Sequence, residues 1–157
     1  MGENEKAIKD YTSAILISPQ DSLAYIRRGN VYSDIGVYEN ALADYTEAIR
    51  INSEDVYVYT NRGNVYSYLG LYEKAMLDYA TAISKAPKYI YTYISRARVY
   101  KDNKEFEKAL TDYDYVITLD ANNAQAYLGR SMVYKELGMQ LESDTDYQKY
   151  LELTSQP

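Results

Sequence analysis

Residues 56–89, VYVYTNRGNVYSYLGLYEKAMLDYATAISKAPKY, return in altered form when the chain is shifted by 34 positions either way. Tyr25, Tyr59, Tyr93 and Tyr127 keep that step, as do Tyr32, Tyr66, Tyr100 and Tyr134. So do Arg28, Arg62, Arg96 and Arg130, the alanines 7, 41, 75 and 109, and the tyrosines 11, 45, 79, 113 and 147. Self-similarity at a fixed period of this size marks a stacked repeat protein, in which each unit covers the apolar face of its neighbour. The periodicity therefore predicts a solenoid.

Within the unit, Tyr59, Arg62, Gly63, Tyr66, Ala75, Tyr79 and Pro87 stand in order at the positions that define the tetratricopeptide repeat, W-x2-L-G-x2-Y, then A-x3-F, then P. The chain resembles that family, with Tyr in place of Trp and Phe and Arg in place of Leu. The resemblance covers four frames, 22–55, 56–89, 90–123 and 124–157, and a half frame at 1–21. It implies a single all-α domain over 1–157: a right-handed superhelical solenoid of antiparallel helix pairs, about nine helices in all.

Composition narrows the function. The 157 residues are 46% hydrophobic and 25% charged, ordinary for a globular chain. No apolar run of roughly 18 residues is present, so no membrane span is expected. The start, MGENEK, is charged rather than apolar and does not read as a secretory signal. Gly2 is not a myristoylation site, because Lys6 stands where Ser or Thr is needed. A cytoplasmic location is the resulting expectation. With no Cys and no His, thiolate nucleophiles, Ser–His pairs and the usual zinc sites are excluded. No phosphate loop is present, so no enzyme, cofactor or metal is expected. A net charge of −6 disfavours nucleic acid. The 21 Tyr against one Phe and no Trp fall mostly on the repeat's aromatic positions, where they read as core with a polar tip.

First helices are expected near 22–35, 56–69, 90–103 and 124–136, and second helices near 38–51, 72–85, 106–119 and 140–153. Residues 4–17 read as a second helix without its first. Asp21, Asp55 and Asn123 are N-cap candidates, and Gly36, Gly70 and Gly138 fall where a helix stops in a left-handed residue. The third repeat has Asn103–Lys104 there instead. Gly29 and Gly63 are expected to permit a close crossing opposite Ala41 and Ala75, with Gly63 tolerating Ala, as at Ala97, but not Leu.

The recurring arginines accompany a recurring Asp series at 10, 44, 78, 112 and 146. A charge on the packed side of a helix needs a partner. An internal Arg–Asp ladder is the favoured reading over a row of anion-binding arginines, with one Asp left over at an end. First helices carry eight basic and three acidic residues, net +5, leaving −11 for the rest against the total of −6.

In a stacked array the open side of the first helices is the default binding face. That side carries Ile26, Arg27, Asn30 and Asp34, then Tyr57, Thr60, Asn61, Asn64 and Tyr68. It continues with Tyr91, Ile94, Ser95, Arg98, Lys101 and Asp102, then Gln125, Leu128, Met132, Lys135 and Glu136. Amides hydrogen-bond backbone and aromatics cover side chains, so Arg27, Asn30, Tyr57, Asn61, Asn64, Tyr91, Arg98, Lys101 and Lys135 are the candidate peptide-binding residues. Arg98, Lys101 and Lys135 make the later repeats the place for acidic ligand groups, or are simply solvated charges. The resemblance also raises the family's carboxylate clamp, whose positions here hold Ile26, Asn30, Asn61, Tyr91 and Ser95. Both asparagines match and all three cations are missing, which argues against it.

A protein–protein interaction scaffold is therefore the functional expectation, with an assembly element or a segment of a longer repeat protein as the alternative. Ile8, Tyr11 and Ile15 are expected to lack cover, which points to self-association through residues 4–17 or to an excised piece. Asp144, Thr145 and Lys149 read as a polar cap at the other end.

Overall fold

The computed structural model describes residues 2–155, which form nine α-helices and no strands. They are α1 (Glu3–Ile17), α2 (Ser22–Asp34), α3 (Tyr38–Ile51), α4 (Val56–Tyr68), α5 (Tyr72–Lys85), α6 (Ile90–Asp102), α7 (Phe106–Leu119), α8 (Ala124–Glu136) and α9 (Gln140–Thr154). Two compact units are resolved, Met1–Ala86 with α1–α5 and Pro87–Pro157 with α6–α9, each taken over its described residues. In the first, α2 lies between α1 and α3, and α4 between α3 and α5. In the second, α8 lies between α7 and α9.

Local chemistry sets the helix ends. The Asp21 carboxylate accepts from the Leu23 and Ala24 amides, Asp55 from Tyr57, and the Asn123 side chain from Ala126. Each satisfies donors that the first turn leaves open. Gly36, Gly70 and Gly138 take φ of 74°, 71° and 73°, and Lys104 is forced into the same left-handed region at 62°. The closing bonds do not change with the residue. The Val37 amide donates to Tyr32 O and the Glu105 amide to Tyr100 O, both at 2.8 Å.

Sequence propensity alone would not make α4 a helix. VYVYTNRGNVYSY is rich in β-branched residues and has a glycine at its middle. Burial stabilises it instead: Val58, Tyr59, Thr60, Gly63 and Val65 are all inside, because second helices flank α4 on two sides. That double packing overturns part of the expected open face. Ile26, Thr60 and Ile94 share one repeat position, and all three are buried.

The glycine crossing is also corrected. A Cβ on Gly29 would lie 2.8 Å from Tyr45 Cε1, and one on Gly63 2.7 Å from Tyr79 Cε1, so the close neighbour is the tyrosine ring, not Ala41 or Ala75. Tyr79 is fully buried and cannot yield, so alanine at Gly63 is not the harmless change the repeat suggested. In the second unit the equivalent ring, Tyr113, lies instead over Gly129, where a Cβ would come within 2.3 Å of Cζ. Ala97 takes the glycine's place in that repeat.

The expected ladder is present. Arg28, Arg62, Arg96 and Arg130 grip Asp44, Asp78, Asp112 and Asp146 through Nε and Nη2, with every bond at 2.7–2.8 Å. Three of them also reach back to the preceding second helix: Arg28 to Thr12 at 3.0 Å, Arg62 to Thr46 at 3.2 Å and Arg130 to Asp114 at 2.6 Å. Each guanidinium lies between two tyrosines of its own helix, for example Arg62 at 5.9 Å and 5.8 Å from the Tyr59 and Tyr66 ring centres. The hydrogen bonds that Arg62 donates to Asp78 outweigh burial and hold Arg62 above the usual arginine range. The leftover acid is Asp10, exposed on α1 and without an ion pair among the described residues.

Candidate functional site

In the first unit a groove of about 620 Å³ opens between α2, α3 and α4, lined by Asn30, Ser33, Asp34, Tyr38, Tyr45, Asn61, Asn64 and Tyr68. Its floor is a set of oriented amides. Tyr45 Oη donates to Asn30 Oδ1 at 2.8 Å, and Asn61 Nδ2 donates to the same oxygen at 2.9 Å. One repeat later Tyr79 Oη donates to Asn64 Oδ1, also at 2.8 Å. The phenols therefore fix which way the amides point. Asn30 and Asn64 keep Nδ2 donors for the groove, while Asn61 keeps its Oδ1 acceptor. Burial, reinforced by the Asp34 charge, pushes the Tyr45 phenol well above its usual range, so it stays a donor.

At the mouth, Tyr38 and Tyr68 stack with centroids 5.8 Å apart and planes 11° apart. Tyr68 remains 66% exposed. This pairing holds an aromatic face open to solvent at little entropic cost.

The second unit has a smaller groove of about 220 Å³ lined by Ile94, Arg98, Lys101, Tyr113, Gln125, Leu128, Gly129 and Met132. A neighbouring one of about 330 Å³ adds Lys135, Ser143, Asp144 and Tyr147. Burial pushes the Tyr113 phenol up to about 12, against the opposing pull of Arg98. Tyr147 is 45% exposed, whereas its counterparts Tyr45, Tyr79 and Tyr113 are at 1%, 0% and 3%.

Of the residues expected from sequence, Asn30, Asn61 and Asn64 converge in one groove, and Arg98 and Lys101 in another. Lys135 lies in the pocket beside the latter. Arg27, Tyr57 and Tyr91 are exposed but line none of these grooves, and Tyr91 leans on Tyr89 at 5.5 Å. Sequence reasoning missed Tyr38, Tyr45 and Tyr113, because it looked only at first helices. The signal was there: Tyr45 and Asn30 recur together as Tyr79 and Asn64, always 15 residues apart.

Among the described residues no helix is long and apolar enough to cross a membrane, and no group of three or more acidic, His or Cys side chains converges.

Family models described as TPR repeat and tetratricopeptide repeat match residues 29–70, 56–89, 90–123 and 124–157. No curated protein matches the sequence. Among solved structures, residues 41 to the end of MamA from Desulfovibrio magneticus RS-1 are 15% identical with a TM-score of 0.83, covering 98% of this chain and 86% of that one. YrrB, described as a TPR protein with an unusual peptide-binding site, is 19% identical with a TM-score of 0.73, covering 96% and 78%. The first TPR domain of Spaghetti (RPAP3), bound to the HSP90 peptide SRMEEVD, is 26% identical with a TM-score of 0.70, covering 76% and 94%.

Proposed function

The chain belongs to the tetratricopeptide repeat family, and we propose that it is a non-enzymatic interaction scaffold whose grooves hold extended segments of protein partners. The observation that carries this reading is the amide set of the first groove. Asn30 and Asn64 present donors and Asn61 an acceptor, their other atoms being occupied by Tyr45, Tyr79 and each other. An extended peptide offers carbonyls and amides in alternation, and such a floor pairs with both. The second unit complements it with Arg98, Lys101 and Lys135 beside Leu128 and Met132, a surface for acidic and apolar side chains. Capture of a terminal carboxylate by the family's clamp is not part of the proposal, since Ile26, Tyr91 and Ser95 stand where its cations belong.

A phage-displayed library of random heptapeptides is the test. Selected peptides should bind the full chain and lose at least about tenfold in affinity on Asn61→Ala with Asn64→Ala, or on Arg98→Ala with Met132→Ala. Peptides whose binding survives both pairs overturn the groove reading.

A second reading, self-association through α1, rests on Leu16 and Ile17, which are 77% and 85% exposed. Ile15 is buried, contrary to expectation, and Ile8 and Tyr11 are half-buried. Sedimentation of the parent at micromolar concentration should show association that Leu16→Glu with Ile17→Glu abolishes. A parent that sediments as a monomer sinks this reading.

A further inference from the structure

The two grooves occupy corresponding places in their units, 68 residues apart in the chain, and their contents differ in charge. Asn30, Ser33 and Asn64 of the first correspond to Arg98, Lys101 and Met132 of the second. Tyr45 and Asp34 correspond to Tyr113 and Asp102, so the tyrosine and the acid are unchanged. What changes is the acid's neighbour. In the second unit Lys101 Nζ is 3.2 Å from Asp102 Oδ1 and offsets its charge. In the first, Ser33 stands at the lysine's position, Asp34 makes no ion pair among the described residues, and no lining residue is cationic. Arg27, two helical turns away at roughly 10 Å along the axis, does not line the groove.

The Asp34 charge is felt at the groove floor, where it adds to the burial that raises the Tyr45 phenol. The Tyr38–Tyr68 stack lines the same groove, with Tyr68 held open. An aromatic face carries the negative side of its quadrupole outward and attracts a cation. The groove thus combines an uncompensated carboxylate, an ordered aromatic face and backbone-binding amides.

We propose that the first groove selects peptides by one basic side chain, lysine or arginine, seated between the Asp34 carboxylate and the Tyr68 ring while Asn30 and Asn64 hold the backbone. This rests on the peptide-binding reading above. The probes are heptapeptides from the random library, synthesised singly and assigned to the first groove by amide chemical-shift changes at Asn30 and Asn64 of the 15N-labelled full chain. They should be enriched in Lys and Arg over Asp and Glu by about threefold or more. Their affinity should fall about fivefold on Asp34→Asn and again on Tyr68→Ala, both exposed positions. Ser33→Lys, which recreates the Lys101–Asp102 arrangement, should act like Asp34→Asn. First-groove peptides without a basic residue, or with affinity indifferent to Asp34→Asn, overturn the inference and leave the groove reading standing. If no peptide perturbs Asn30 and Asn64, the groove reading fails for this unit and the inference with it.

Discussion

Arg62 shows how one residue joins three elements. Its guanidinium holds Asp78 of the following helix by two bonds, reaches Thr46 of the preceding one, and is covered by Tyr59 and Tyr66. Asp78 is buried, so removing the cation leaves a carboxylate with no charged partner. Arg62→Met should cost about 1–3 kcal/mol, read as a lower urea midpoint at unchanged slope. A surface pair would cost almost nothing. Tyr113 offers a pH test at the same scale. Its phenol ionises near its ordinary value of about 10 when unfolded and near about 12 when folded. The neutral form is favoured by the fold, so this stabilisation is complete below pH 10 and is lost as pH rises through 12. Tyr113→Phe, which keeps the ring over Gly129, should lose about 1–3 kcal/mol less than the parent between those limits. Parallel stability curves would show that the phenol is not so perturbed.

At the scale of the element, the third turn is the weak one. Lys104 adopts φ 62° where the other three repeats have glycine, and a side chain with a Cβ is strained there. Its counterparts Gly36, Gly70 and Gly138 have nothing near the site a Cβ would occupy, so the strain is conformational rather than a clash. Lys104→Gly should stabilise the chain by some tenths to about 1 kcal/mol, seen as a higher melting temperature. An unchanged or lower value would place the strain elsewhere in the turn.

At the scale of the molecule, neighbours decide stability. In a repeat protein each helix is held chiefly by those beside it. Among the described elements α1 packs on α2 alone and α9 on α8 alone, while α3 lies between α2 and α4. The same residue type registers the difference: Tyr147 of α9 is 45% exposed and Tyr45 of α3 only 1%. Hydrogen exchange should therefore release the α1 and α9 amides first, with α3 among the last. Protection of α1 equal to that of α3 would mean that α1 is covered in solution, as the self-association reading requires.

The sequence by itself determined the helices, their ends, the caps at Asp21, Asp55 and Asn123, the left-handed turns and the pairing of each arginine with an Asp. All of these follow from spacing along the chain, and a 34-residue repeat states each of them several times. Tertiary structure alone decided that each arginine takes the Asp sixteen residues on, leaving Asp10 over, and what lies across from a given face. It put Tyr79 rather than Ala75 against Gly63, laid Tyr113 over Gly129, and buried Ile15, Ile26, Thr60 and Ile94. It also turned the amides so that Asn30 and Asn64 keep donors free and Asn61 an acceptor. The reason is physical: periodicity gives the direction a side chain leaves its helix, but the distance and identity of what it meets depend on how neighbouring helices pack against each other.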